Sequence, residues 1–562
     1  MSASPLHAVR EPLPDALGSR KARGAFFTPP EISRFISEWA IRAPSDHVLE
    51  PSSGEASFLL AAGERLRQLG AATVDERQLV GVELHEPSAQ LALQFLADRG
   101  VSGTVTVSDF FEVAPSRSFE AVIGNPPYIR YQQFAGAARA KGLQAALSQG
   151  VRLNGLASSW AAFTVHAAQF LKPSGRLGLV LPAELLAVSY AAQVRRFLLE
   201  RFASVRLVMF ESLVFPGVLE EVVLLLAEGQ GPAPCFEVYQ ARDVSELASV
   251  NGARWTGFTP ERDEKWTPAL LSRRTLDVYR QVTAGEGFAK LLDWGETYLG
   301  AVTGNNDYFA LTRADVRRLG LTQADLLPIS PPGSRHLRGL AFSERAWRAL
   351  AADGARCYLF YPRPGALSDA ARAYVASGRA RGVHIAYKCR TRDPWWRVPL
   401  VPQPDLLLTY MDHDRPRLTA NTAHVYHLNS LYGVAIRHGL RDLGRDLLPL
   451  ASLNSVTLLG AEVVGRAYGG GLLKLEPTEA DRLPVPAPSP IRAAERELRA
   501  LRPQLSSFLR RGELSKAVQL VDRVLLTRHN NVTHQQLAAL REARQQLFSR
   551  RITRGRGARG QD

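Results

Sequence analysis

The chain has 562 residues, enough for several domains with cores of their own. Its apolar fraction of 46% is that of a folded protein, and a formal net charge of +15 suits a polyanionic partner. Three scattered cysteines, Cys235, Cys357 and Cys389, exclude a zinc knuckle or a disulfide framework and read as a reducing interior. Residues 1–20 read as a flexible tail without the apolar core of a secretion signal, and no apolar run approaches the ~18 residues of a membrane span. A cytoplasmic protein that does not contact a membrane is expected. From there strands and helices alternate. "HVLEP" (47–51) is a strand, followed by the helix "EASFLLAAGERLRQL"; "QLVGVEL" (78–84) leads to the helix "PSAQLALQFLADR". "GTVTVSDFF" (103–111), "FEAVIGNPPY", "GRLGLVLPAELL" (175–186), "SVRLVMFES" (204–212) and "LEEVVLLLAEG" (219–229) complete the series. That rhythm predicts an α/β fold with a doubly wound, mostly parallel sheet.

Right-handed crossovers place the carboxyl ends of parallel strands on one rim, where open α/β sheets bind ligands. Glu50, Glu83, Asp109 and Asn125 fall at four successive strand ends. Glu50 stands before a tight turn at Gly54, where an acid can accept from an ammonium group. Glu83 occupies the place of an acid that holds ribose hydroxyls. Asp109-Phe110 offers an amine acceptor beside an apolar wall for a purine. Singly, each acid also reads as a helix cap; together they outline a pocket for an adenosine-containing ligand with a charged tail. Asn125-Pro126-Pro127-Tyr128 then stops a buried strand, because proline cannot donate to a sheet ladder. A carboxamide and a rigid free carbonyl at that rim suit the gripping of an amino group.

These residues resemble the S-adenosylmethionine-dependent DNA amino-methyltransferases, specifically the gamma class that makes N6-methyladenine. The resemblance is carried by motifs in order over residues 21–230 and more loosely beyond. "GAFFTPPEISRFI" (24–36), centred on Thr28-Pro29, is similar to the leading methionine-binding motif. "LEPSSGEASFL" resembles the cofactor loop [DE]-P-x-x-G-x-G-x-F, with Ala56 in place of the second glycine. The resemblance implies cofactor contacts at Thr28, Glu50, Pro51, Ser52, Gly54, Glu83, Asp109, Phe110 and Asn125. It makes Asn125, Pro126, Pro127 and Tyr128 the catalytic turn. "VFPGVLEEVVLLL" (214–226) resembles the segment whose phenylalanine, Phe215 here, packs with Tyr128 on a flipped base. Phe215, beside a Pro-Gly turn, reads equally well as a core residue. Residues 134–159 read as a loop that orders over substrate or as a plain surface insertion. The chemistry calls for S-adenosylmethionine and no metal.

After residue 230 the alternation ends, which places a catalytic domain at 21–240 and a linker at 241–290. "LGAVTGNNDYFALT" (299–312) and "GGGLLKLEPTEADRLPVP" (469–486) resemble the ends of the family's target-recognition region, predicted as a mixed α/β domain over 291–486. Within it "YKCRTRDPWWRVP" (387–399) mixes Lys388, Arg390, Arg392 and Arg397 with Tyr387, Trp395 and Trp396. Together with Arg130, these are the candidate DNA contacts, although buried tryptophans beside a solvated arginine face fit the same pattern. Residues 487–562 carry helical spacing and end in a basic tail, read either as disordered and DNA-binding or as a solvated helix face with a flexible end. Pro404-Asp405 and Asp412-His413-Asp414 come nearest to a nuclease site but lack its lysine. A monomer that methylates double-stranded DNA is expected, with any restriction endonuclease on a separate chain. A glutamine methyltransferase using the same tetrapeptide, a cytosine-N4 enzyme and a DNA-binding protein with a relic site are the alternatives.

Overall fold

Short apolar strands punctuated by Gly and Pro turns set up a nine-stranded sheet. The structure, a computed structural model, describes residues 28–557 except 216–220, 262–263, 364 and 366. The N-terminal tail, the first residues of the leading motif and the Pro216-Gly217 turn therefore lie outside the described residues. The chain forms two compact units, one ending at Ala269 and the other running from Leu270 to Gly555.

The first unit begins with the helix Pro30–Ala40 (α1), started by a proline whose missing N–H costs nothing at that position. Then come Val48–Glu50 (β1), Ser57–Gln68 (α2), Leu79–Glu83 (β2), Glu86–Asp98 (α3), Thr104–Val107 (β3) and Phe119–Gly124 (β4). Gly136–Leu147 (α4), Ser159–Ala167 (α5), Leu171–Pro182 (β5), Ala192–Arg201 (α6), Phe202–Phe210 (β6), Val222–Gln230 (β7), Phe236–Ala241 (β8) and Thr256–Phe258 (β9) complete it. The sheet order is β3-β2-β1-β4-β5-β7-β6-β8-β9. β1 pairs in parallel with both β2 and β4, so strand order reverses at β1 and opens a crevice there. β7 inserts antiparallel between β5 and β6, and β9 is antiparallel to β8. The other neighbours are parallel, as the alternating pattern predicts. Ile32, Phe35 and Ile36 of α1 join β1, β4 and α2 in one buried cluster.

Three readings are corrected here. Residues 241–290 are not a linker: β9 and a 3-10 turn at Val244–Gly252 extend the first unit's sheet and core, and the helix Arg273–Ala284 belongs to the second unit. The segment 134–159 is not simply a loop: Gly136–Leu147 is helical and seats Gly142 against Phe111, Phe134 and Ala162. Composition hid it, because its small residues leave little amphipathic stripe.

The second unit holds a five-stranded sheet in the order Gly295–Leu299, Tyr432–Ile436, Leu406–Leu408, Leu418–Asn421, Ala341–Phe342. Its largest core cluster joins Trp294, Leu406 and Val434 to Leu498, Leu505 and Leu525. The C-terminal helices therefore share a core with the mixed α/β region. The third correction concerns the described part of the basic tail, since residues 558–562 lie outside the described residues. His534–Gly557 is one helix whose Arg541 pairs with buried Asp522 and whose Arg551 is buried against Glu462. Separating such buried partners is costly, so these arginines are structural. No single helix among the described residues is long and apolar enough to cross a membrane.

Candidate active site

The rim where β1, β2 and β4 end gathers the acids and the amide expected there. β1 ends on Glu50, which is 2% exposed, and its Oε2 accepts the Leu59 N–H at 3.1 Å. Burial pushes its carboxyl well above the ordinary range; hydrogen bonds from Leu59 and Phe58 offset this in part, and the nearby Glu83 charge adds to it. A cation beside it would favour the ionised form that burial disfavours. Glu83 ends β2 and accepts Gly54 N–H through Oε2 and His85 N–H through Oε1, both at 2.9 Å. It thus ties the turn after β1 to β2.

That turn carries Pro51, Ser52, Ser53 and Gly54. Gly54 sits at φ +49°, and a Cβ there would meet nothing within 4 Å, so its face is open. Ala56 adopts φ 60° and caps α2 with its methyl group buried. Its backbone thus takes the left-handed form that glycine would adopt at a cost of roughly 1–2 kcal/mol less.

Past β4, Asn125 Nδ2 lies 3.2 Å from Thr28 Oγ1, which joins the segment before α1 to the Asn125–Tyr128 turn. Asn125 Oδ1 is buried and has no hydrogen-bond partner among the described residues. Unpaired buried acceptors are uncommon and call for a ligand or another explanation. Pro126 is buried, while Pro127 offers its carbonyl to Ser159 Oγ. Ser159 Oγ in turn accepts Ile129 N–H at 2.9 Å, so one hydroxyl on α5 clamps both ends of the turn. Tyr128 is half-buried, donates its OH to the Val180 carbonyl at 3.0 Å, and packs on the cluster that contains Phe215. Phe215 is 5% exposed. Tyr128 therefore borders an apolar cluster of which Phe215 is a buried member, which favours the core reading of Phe215.

Ser159 was not singled out in the sequence; its role depends on a contact across 32 residues. Replacing it with alanine leaves a carbonyl and an N–H unpaired. Ser159→Ala should lose about 1–2 kcal/mol of stability, read from the denaturant midpoint, and should lower kcat more than it changes cofactor affinity.

Asp109 stands where expected, but its surroundings differ. Oδ1 caps the following 3-10 turn through Phe111 N–H, and Oδ2 lies 3.3 Å from Lys141 Nζ on α4. Lys141 also reaches Glu112 at 2.5 Å. The Phe110 ring is corrected: it is 3% exposed and lies among Phe163, His166 and Phe170, with centroids 4.7–5.1 Å away. The ring is core packing, not an open wall for a purine. His166 donates Nε2–H to the Phe110 carbonyl, and burial lowers its pKa.

In the second unit the proposed DNA contacts separate. Trp396 is buried in a core cluster, and Trp395 packs on Tyr308 and Phe309. Arg392 donates to the carbonyls of Val302 and Thr303, and Arg397 donates to Pro362 while lying 3.5 Å from the Tyr361 ring centroid. These four residues are engaged within the unit, which favours the reading of core-edge packing over that of DNA contact. Arg130, Lys388 and Arg390 are exposed. The nearest nuclease-like acids are also engaged: Asp405 pairs with Arg441 and accepts Ile436 N–H, and Asp412 pairs with Arg417.

Comparison with known proteins follows the same division. A family described as N-6 DNA Methylase matches residues 15–265, and one described as Type II methyltransferase M.Eco57I, C-terminal domain, matches residues 263–526. Type II methyltransferase M.XamI from Xanthomonas campestris pv. amaranthicola is 27% identical over 499 residues, 84% of this chain and 87% of its own. Type II methyltransferase M.HincII from Haemophilus influenzae is 26% identical over 202 residues, 36% of each chain. The solved structure of the Type IIL restriction-modification enzyme MmeI in complex with DNA aligns with a TM-score of 0.56 at 13% identity. It covers 90% of this chain and 73% of that one, a likeness of fold.

Proposed function

We propose that the chain is a DNA adenine-N6 methyltransferase of a restriction–modification system, a reading supported by both matched families and by M.XamI, and that its residues carry the reaction as follows. The first unit binds S-adenosylmethionine, the second selects a short sequence of double-stranded DNA, and the target adenine is flipped out of the duplex to be reached. The gamma order of motifs, with the leading segment before β1, supports this reading. So does the nearness of Thr28 to Asn125.

The residues at the rim fit the cofactor. Glu50, buried and raised in pKa, suits the ammonium of its methionine tail; the open face at Gly54 admits close backbone approach; Glu83 suits the ribose and Asp109 Oδ2 the adenine amine. Thr28, Pro51 and Ser52 line the same stretch. The cofactor supplies an electrophilic methyl group on a sulfonium.

The observation that carries the mechanism is the buried, partnerless Asn125 Oδ1. It accepts one N–H of the adenine amine, and the Pro126 carbonyl accepts the other. Two fixed acceptors draw the nitrogen towards tetrahedral geometry and localise its lone pair. That lone pair would take the methyl group from the bound sulfonium, whose sulfur would keep the electrons of the broken bond, and the surplus proton on nitrogen would leave to solvent. The clamp by Ser159 and the two prolines keep both acceptors in place before reaction, where preorganised dipoles are most effective. Tyr128 borders the flipped base, and Phe215 backs it from the buried cluster. The chain acts as a monomer without a metal, and any endonuclease is a separate chain.

Lys141 gives one test of the adenine assignment. It shares Asp109 Oδ2, the oxygen left over from capping, so the cofactor amine competes with it. The pair is half-exposed, which keeps the effect small: Lys141→Met should tighten S-adenosylmethionine by up to about fivefold in calorimetry. No change, with Asp109→Ala also silent, would remove Asp109 from the cofactor site.

A further inference from the structure

Two of the most exposed large apolar side chains in the chain, Ile385 at 66% and Tyr387 at 64%, lie two residues apart in the second unit. They sit on a short knob made of a 3-10 turn, Val383–Ile385, and one helical turn, Tyr387–Arg390. The knob is rigidly founded. Val383 and Cys389 are buried in the core cluster that contains Tyr308 and Trp396, and Ala386 packs on it. Arg392 ties the end of the knob to the Val302 and Thr303 carbonyls. Gly304, at φ +84°, lets that turn pass so close that a Cβ would stand 2.9 Å from Lys388 Cβ.

Exposed apolar tips on a fixed base are unfavourable in water unless something covers them. Charge indicates what does. Residues 379–397 carry Arg379, Arg381, Lys388, Arg390, Arg392 and Arg397 against the single acid Asp393. Lys388 Nζ and Arg390 Cζ stand over the Tyr387 ring at 5.5 and 5.4 Å, and among the described residues neither is in an ion pair. Cations held beside a protruding ring and an aliphatic tip match a polyanion whose interior is a stack of apolar faces.

We infer that Ile385 and Tyr387 form a wedge that enters a base step of the duplex bound by the second unit, with Lys388 and Arg390 on the flanking phosphates. This rests on the assignment of DNA selection to that unit. The wedge unstacks the step it enters, so the sequence read there is read as ease of deformation, without hydrogen bonds to base edges.

The test uses the full chain. Methylation mapping of the expression host's DNA first gives a modified sequence; finding no modified sequence would defeat the DNA methyltransferase reading itself, before the wedge is tested. Duplexes carrying the mapped site are then made with 2-aminopurine at successive positions away from the methylated adenine. The wild type should raise the fluorescence at one step. Ile385→Ser and Tyr387→Ser should abolish that rise and weaken binding by about tenfold or more, with the salt slope kept. Lys388→Ala and Arg390→Ala should keep the rise and reduce the salt slope by about one each. Unchanged fluorescence and affinity in both apolar variants would overturn the wedge and leave the patch to a protein partner. So would a wild type that raises no signal at any step.

Discussion

Asn125→Ala should lose turnover by about 10²–10³-fold, the ~2.7–4 kcal/mol typical of removing one preorganised dipole. It should leave cofactor and DNA binding nearly intact. The expectation follows from how the side chain is placed. Its Nδ2 is committed to Thr28 Oγ1, and its Oδ1 is buried with nothing to accept from among the described residues. An acceptor in that condition raises the energy of the free protein and gains a partner only when an amine is present. Alanine removes that gain and relieves the unpaired oxygen, so the variant should fold as well as the wild type. Single-turnover methylation with saturating DNA, beside calorimetry with the cofactor, separates the two effects. Normal methylation by the variant would refute the proposed mechanism.

Glu50→Gln should weaken S-adenosylmethionine by on the order of 10- to 100-fold, since hydrogen bonds to a charged group are worth about 1.5–3 kcal/mol. It should also change the pH dependence of stability. The folded carboxyl has its pKa raised above the unfolded value, chiefly by burial. Stability from this group is therefore fully present below the unfolded pKa near ~4.3 and is lost as pH rises through the folded pKa. Glutamine cannot ionise, so that loss is absent in the variant. Its melting temperature relative to wild type should rise from acid towards neutral pH. Cofactor affinity in the wild type should strengthen over the same rise, because the ammonium prefers the carboxylate and its binding releases the proton. Equal cofactor affinity in variant and wild type would remove Glu50 from the tail site.

Much of the rim was legible because a strand end and its turn are local. Glu50, Glu83 and Asn125 stop their strands by proline, glycine or polar residues close by, and the parallel order then lines them up. What was misread depends on distant partners. Phe110 follows Asp109 in sequence, yet its ring is drawn to Phe163, His166 and Phe170 on another layer. Trp395, Trp396, Arg392 and Arg397 show the same mixed pattern whether they face DNA or hold a core edge, and the Tyr308 cluster decided for the core. Residues 241–269 lack the βαβ rhythm because β8 and β9 extend a sheet already built. The basic C-terminal stretch looked solvated because its acids, Asp522 and Glu462, lie 19 and 89 residues away from Arg541 and Arg551. In each case chain spacing gave the residue types but not the neighbours.

In the proposed mechanism an adenine amine, gripped at Asn125, receives the methyl group. This is tested most directly by incubating the purified chain with unmethylated duplex DNA and isotopically labelled S-adenosylmethionine, without magnesium, and then digesting the DNA to nucleosides for mass spectrometry. The predicted result is labelled N6-methyladenine in uncut DNA, absent with Asn125→Ala. Labelled N4-methylcytosine, or label recovered in protein and not in DNA, would contradict it.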